Sequence, residues 1–241
     1  MSGLWYNITL NKKMKTRIEL IKEHFESEAK RFDRMFFKIA PFYKEAIEAL
    51  VLALPFKNSS KPKIIDLGCG TGNIAKAVKG RYPHANMSCL DLAQGMIEMA
   101  KTKLKGYKDI EYWCGDICKY DYSCKPDAVI SSLVLHHLDK KNKRLFYQKI
   151  FNALPKGGVF YTADFVLSHN KYLSRAYSGQ WRQFMRKSFS TAQIKDILTK
   201  HKDEDKPAEL MFEIDLLRKV GFKDVDVVWK VYSFAVYGGV K

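Results

Sequence analysis

The sequence predicts an α/β fold, a mostly parallel sheet with helices on both faces and an antiparallel strand at its end. Three observations predict it. Short apolar runs alternate with helix-spaced segments from Lys63 to Phe165, the pattern of repeated βαβ units. A glycine-rich turn, GCGTG at 68–72, directly follows the first of those runs. Two strand-like runs, 222–232 and 234–240, close the chain with only a short break near Tyr232–Ser233, as an antiparallel pair allows.

The elements follow in order. Phe25, Ala29, Phe32 and Phe36 recur at helical spacing until Pro41, and Ile47, Leu50, Val51 and Leu54 share a face of a second helix. PFKNSSKP (55–62) is a turn-rich joint. KIIDL (63–67) reads as a buried strand and GNIAKAV (72–78) as the start of a helix. ANMSCLDL (85–92) is a second strand, and Met96, Ala100 and Leu104 mark the next helix. IEYWCGDI (110–117) is a third strand, PDAVISSLVLHHL (126–138) begins as a fourth, and a helix follows from Lys140 to Leu154. GGVFYTADF (157–165) is a fifth strand. The alternation lapses from 166 to 208, then resumes with a helix, Glu209–Val220, and the closing strands. One domain is expected: a helical cap (1–60), a core (61–165), a helical lid insertion (166–208) and a closing helix with strands (209–241).

Composition limits the partners. The chain has 241 residues, 46% hydrophobic and 28% charged, as in ordinary globular proteins. AIEALVLALPF (46–56) contains Glu48 and is too short to span a bilayer. The N-terminus has no signal-type apolar core, so a cytoplasmic protein without membrane contact is expected. The net charge of +16 points towards nucleic acid, but the lysines are scattered through KKMKTR (12–17), KTKLK (101–105), KKNKR (140–144) and HKDEDK (201–206). A solvated basic surface is favoured over an RNA-binding face. None of the five cysteines sits in a CxxC pair, and the spacing of Cys114, Cys118 and Cys124 lacks the close pairing of zinc sites. No metal is expected.

The glycine turn narrows the ligand. A phosphate-binding P-loop needs GxxxxGK[ST], which is absent, and a dinucleotide loop needs a third glycine where Asn73 stands. Asp66, just before the glycines, would repel a pyrophosphate and suits an ammonium group. Asp91 at the end of the second strand is placed for ribose hydroxyls. Asp116 at the end of the third is placed for an adenine amino group, with Leu92 and Ile117 to pack on the ring. The competing reading is that these acids merely cap helices. An adenosine carrying an amino acid and no phosphate is S-adenosylmethionine.

DLGCGTG (66–72), Asp91, GD (115–116) and LPKGG (154–158) together make the stretch from Lys61 to Phe165 resemble the class I S-adenosylmethionine-dependent methyltransferase family. The resemblance implies a Rossmann-like seven-stranded sheet with an antiparallel last strand. It implies that Asp66 and the loop of Gly68, Cys69, Gly70 and Gly72 hold the methionine moiety, Asp91 the ribose, and Asp116 with Ile117 the adenine. Leu92, Met96 and Ser132 join this cofactor set. HFESEAKRFD (24–33), APFYKEAI (40–47) and the ending LLRKVGFKDVDVVWKVYSFAVYGG (216–239) are similar to the carboxy-S-adenosylmethionine synthase-like branch. That likeness implies that Tyr43 reaches the cofactor. The synthase also uses a lid arginine for the extra carboxylate. The matching position lies near Leu198, with no arginine within ten residues, so an ordinary methyl donor is expected.

Methyl transfer needs an aligned nucleophile and a dry site more than a strong catalytic motif. His136 and His137, after the fourth strand, are the candidates for a general base or substrate contact. In the lid, Tyr177, Trp181 and Met185 share a helical face beside Arg182, either as core or as a pocket for a flat or apolar acceptor. Phe36 and Tyr43 would close the other wall. The expected function is transfer of a methyl group to an O, N or S nucleophile of a small molecule, leaving S-adenosylhomocysteine. The alternatives are a tRNA-modifying enzyme related to wobble-uridine chemistry and a non-catalytic S-adenosylmethionine-binding regulatory module. Assembly stays open, a homodimer included.

Overall fold

The computed structural model describes residues 16–29 and 32–241. The rest of the N-terminal stretch, and Lys30 and Arg31 of the 24–33 motif, lie outside the described residues. Helix α1 (Arg17–Glu28) starts on a capping box, with Thr16 and Glu19 each satisfying the other's backbone N–H. A short α2 (Phe32–Phe36) and α3 (Tyr43–Leu52) complete the cap. The core runs β1 (Lys63–Leu67), α4 (Asn73–Arg81), β2 (Asn86–Asp91), α5 (Gln94–Lys103), β3 (Ile110–Cys114), β4 (Ala128–Ser132), α6 (Lys140–Ala153) and β5 (Val159–Phe165). Then come α7 (Lys171–Met185), α8 (Thr191–Glu204), α9 (Leu210–Val220), β6 (Lys223–Val231) and β7 (Phe234–Val240).

The seven strands form one sheet in the order β3-β2-β1-β4-β5-β7-β6. β7 runs antiparallel to both neighbours, and the other adjacent pairs are parallel. Successive residues of a strand face opposite layers, so β1 sends Ile64 into one buried cluster, with α3, α4 and α5, and Ile65 and Leu67 into the other, with α6 and α9. The second layer holds a buried Lys143–Glu213 ion pair, to which Tyr147 donates a 2.8 Å hydrogen bond.

Two boundaries differ from the sequence reading. β3 stops at Cys114, so Asp116 lies in the loop beyond the strand rather than at its end. β4 stops at Ser132, where Leu133 takes a positive φ of 55° and the chain turns into a 3₁₀ helix, Leu135–His137. The segment where alternation lapses contains α7 and α8. Asn170 caps α7, and a Ser190–Gln193 capping box opens α8. A third apolar cluster of Ala40, Phe165, Trp181, Met185, Ile194 and Phe234 packs these helices onto the sheet and the cap. No helix among the described residues is long and apolar enough to cross a membrane.

Candidate functional site

A cavity of about 700 Å³ opens beyond the carboxyl ends of the parallel strands. It sits where the order reverses between β1 and β4, the place at which such sheets bind ligands. The turn after β1 forms one wall. Gly68, Gly70 and Gly72 have φ of 62°, 53° and 84°, in the left-handed region that side chains disfavour. A Cβ on Gly68 would come within 2.2 Å of Val134, whereas one on Gly70 would meet nothing within 4 Å. Gly70 is thus where backbone lies open to a ligand. Gly72 departs from the expectation: it does not line the cavity, and it gives way instead to Leu104 and Ala100 of the following helix.

Asp66 is the unusual charge. It is 1% exposed, and neither carboxylate oxygen has a hydrogen-bond partner among the described residues. Burial, and then the charge of Asp91, push its pKa up to about 7, with the nearby Ala75 N–H offsetting part of this. Asp91 is better supported. Its Oδ2 accepts the Gly70 N–H at 2.8 Å and its Oδ1 the Ala93 N–H at 2.9 Å. Burial still raises it to about 6. Asp91 therefore shapes the glycine turn as well as lining the cavity, a double role that its expected place opposite a ribose did not include. Leu92, Met96, Asp116 and Ile117 line the cavity too, as do Gly68 and Cys69, and Asp116 accepts from the Cys118 N–H at 2.9 Å.

The cap closes over this wall. Tyr43, the first residue of α3, lies 3.5 Å from Ser132 Oγ, and burial pushes its pKa up to about 12, so its phenol stays a hydrogen-bond donor. Phe36 meets the Tyr43 ring edge-on at 4.9 Å. Asp33 of α2 accepts from Thr71 Oγ1 at 2.6 Å, Asn73 Nδ2 at 3.1 Å and Lys103 Nζ at 2.5 Å. Glu26 accepts the Gly95 N–H at 2.9 Å. Cap and glycine turn are thus joined by polar contacts that the sequence reading did not identify.

The far wall carries the histidines, and the structure separates them. His136 is buried, with Nδ1 2.5 Å from Asp164 Oδ1 and its backbone N–H donating to the other oxygen at 3.0 Å. Its Nε2 stands 3.6 Å from Asp205 Oδ1. Burial disfavours its charge, but Asp164 and then Asp205 outweigh this and raise its pKa. His137 moves the other way, lowered by burial and by the charge of His136. Asp205 also binds His201, and despite burial its carboxyl is held well below the usual range by His137 and His201.

Of the expected lid contacts, Trp181 lines the cavity, donates to the Ile39 carbonyl at 2.7 Å and meets His201 edge-on at 5.0 Å. Tyr177 and Arg182 do not line it. Tyr177 packs against Tyr232 under the Lys230 ammonium, 4.6 Å from the ring, and Arg182 is exposed. Helical spacing put Tyr177 on the Trp181 face, but the turn at Tyr232 covers its end of the helix. Leu198 packs into the lid cluster, and Lys200 and His201 are the basic side chains of α8 at the cavity. Asp33, Asp164, Asp205 and His201 were not singled out from sequence. Asp164 did leave a signal, an acid inside the otherwise apolar strand VFYTADF.

Residues 64–158 match the methyltransferase domain family model. The chain is 28% identical over 233 residues to a carboxy-S-adenosyl-L-methionine synthase of Helicobacter hepaticus, covering 92% of this chain and 97% of that protein. A synthase of the same name from Nitratiruptor is 29% identical over 232 residues, covering 93% and 95%. Among solved structures, a DhpI–SAM–HEP complex superposes with a TM-score of 0.64 at 20% identity, covering 92% of this chain and 96% of the other. Phosphoethanolamine N-methyltransferase 2 of Haemonchus contortus, solved with phosphomonomethylethanolamine and S-adenosylhomocysteine, gives 0.66 at 16% identity, covering 88% and 46%. The seven-stranded sheet is the class I methyltransferase fold.

Proposed function

We propose that the chain binds S-adenosylmethionine across the Gly68–Gly72 turn and transfers its methyl group to a small molecule in the half of the cavity beneath the lid. The observation that carries this reading is Asp66, a buried carboxylate with no cationic or hydrogen-bonding side chain paired to it among the described residues, near the open backbone of Gly70. Buried charges are costly unless paired, and a cationic amino-acid moiety supplies the missing partner. Asp91 lies next along the cavity for the ribose, and Asp116 with Ile117 and Leu92 for the adenine. Tyr43, held near Ser132, completes the cofactor side.

The donor arrives activated, so alignment and exclusion of water supply most of the rate. Phe36 and Trp181 offer an apolar wall for the acceptor, and the cap (1–60) and lid (166–208) are the parts that select it. A contact of His137 with the acceptor is supported by its Nε2, which is buried at the cavity with no hydrogen-bond partner among the described residues. His136 instead orients the wall through Asp164.

A second reading is favoured by two facts. Two relatives matched across most of their length are carboxy-S-adenosyl-L-methionine synthases, and Lys200 brings a cation to the cavity near Leu198, where no arginine stands within ten residues. In that reading the chain handles the carboxylated cofactor. Calorimetry with S-adenosylmethionine, S-adenosylhomocysteine and the carboxylated form tests both. Binding of the first two that drops at least tenfold in Asp66→Asn supports the methyl donor. A marked preference for the carboxylated form, lost in Lys200→Ala, replaces it with the second reading. No binding of any of the three removes both.

A further inference from the structure

We propose that His136, His137 and Asp205 form a binding site for a divalent transition-metal ion in the lid-side wall of the cavity. One ring nitrogen of each histidine and one Asp205 oxygen lie within 4.8 Å of one another. Asp205 Oδ1 stands 3.6 Å from His136 Nε2 and 2.9 Å from His137 Nδ1. Ligands that share an ion at about 2.1 Å sit roughly 3.0–3.4 Å apart, and the two observed edges bracket that spacing. At the shorter edge His137 Nδ1 meets Asp205 as an ion-pair contact, and its other ring nitrogen, Nε2, is buried with no hydrogen-bond partner among the described residues, a state that calls for an explanation in a folded protein.

The surroundings fit an ion as well. Asp164 takes His136 Nδ1 at 2.5 Å, which turns Nε2 towards Asp205. A carboxylate behind the ring is the usual support of a metal-bound histidine. His201 holds the other oxygen of Asp205, leaving Oδ1 to face the two rings. Two imidazoles and one carboxylate select zinc, iron or cobalt over magnesium or calcium. Cys114, Cys118 and Cys124 take no part.

Three protein ligands leave coordination positions open, and all three side chains line the cavity. The ion would therefore accept a chelating molecule with adjacent oxygens, such as a carboxylate beside a hydroxyl or carbonyl. That acceptor class rests on the proposed methyl transfer; the ion site does not. With an ion bound, His137 serves as its ligand, and the acceptor meets the ion rather than the imidazole.

The test uses the full chain without a polyhistidine tag, stripped with a chelator and dialysed against Zn²⁺ or Co²⁺. We expect one ion per chain, with visible Co²⁺ absorption characteristic of nitrogen and oxygen ligands. Asp205→Asn and His137→Gln should abolish retention, and Asp164→Asn should weaken it by about 10- to 100-fold. S-adenosylmethionine binding, measured on each variant, checks that the fold survives. If the variants do not fold, the Co²⁺ spectrum of the native chain decides. No retained ion, thiolate charge-transfer bands, or equal retention by folded Asp205→Asn and His137→Gln would overturn the site and leave Asp205 as an ion-pair hub for its histidines. Cofactor binding without an ion sinks only this inference; an ion without cofactor binding sinks the transfer reading instead.

Discussion

Lowering the pH should weaken S-adenosylmethionine binding through Asp66 before it harms the fold. The ligand-free carboxyl titrates near pH 7 because it is buried and faces Asp91. A cationic ligand needs the ionised form, so each pH unit below that value costs about 1.4 kcal/mol, or tenfold in affinity, until the group is protonated in the complex as well. Between pH 8 and pH 6 the dissociation constant should rise by about an order of magnitude. Asp91, raised to about 6, steepens the loss below that point. Calorimetry in buffers of different ionisation enthalpy should show nearly one proton released per cofactor bound at pH 6 and few at pH 8.

The stability signature has the opposite sign. Asp66 has a folded pKa above its ordinary 3.8, so the folded chain binds more protons than the unfolded one across the window from about 4 to about 7. Its contribution therefore falls as pH rises through that window. Cofactor should reverse the trend, giving a thermal shift that grows from pH 6 to pH 8. Affinity that stays flat over this range, or that falls as sharply in Asp66→Asn as in the native chain, would refute the role assigned to this carboxylate.

Other expectations follow from the same geometry. Gly68→Ala should destabilise the chain by more than the roughly 1–2 kcal/mol of a positive φ, because of the 2.2 Å approach to Val134; adding Val134→Ala should restore part of the loss in chemical denaturation. Asp33→Ala removes an acceptor shared by Thr71, Asn73 and Lys103, and should weaken cofactor binding while lowering stability by about 1–3 kcal/mol; unchanged affinity would show that the cap does not hold the glycine turn. Arg182→Ala, at an exposed position outside the cavity, should alter cofactor and acceptor affinity by less than about twofold, and stability by less than about 0.5 kcal/mol.

The parts legible in the sequence are those encoded by neighbours along the chain. Alternation and the glycine turn disclose the parallel sheet because each βα unit is local, and Asp66 and Asp91 are found from their places at strand ends. Asp116 lines the cavity although its strand ends two residues earlier. The lid helices carried legible caps at Asn170 and at Ser190 with Gln193, yet without strands between them there was no alternation to mark them.

The lid-side wall of the cavity is harder to read for a physical reason. His136 comes from the turn after β4 and Asp164 from the neighbouring β5, and packing of the lid adds Asp205 and His201 from the end of α8. Only His201 and Asp205, four residues apart, share a helical spacing; the others stand at no spacing that a motif could record. Tyr177 and Trp181 show the reverse error, since a shared helical face placed them together until Tyr232 covered one of them. On the proposed function, cofactor chemistry is encoded mainly by the local order of strand, turn and helix, whereas acceptor chemistry depends on how cap and lid dock. Exchanging side chains along Asp205, His137 and Trp181 should change which acceptor is used while leaving S-adenosylmethionine affinity intact, and a parallel loss of both would place the two functions in one inseparable unit.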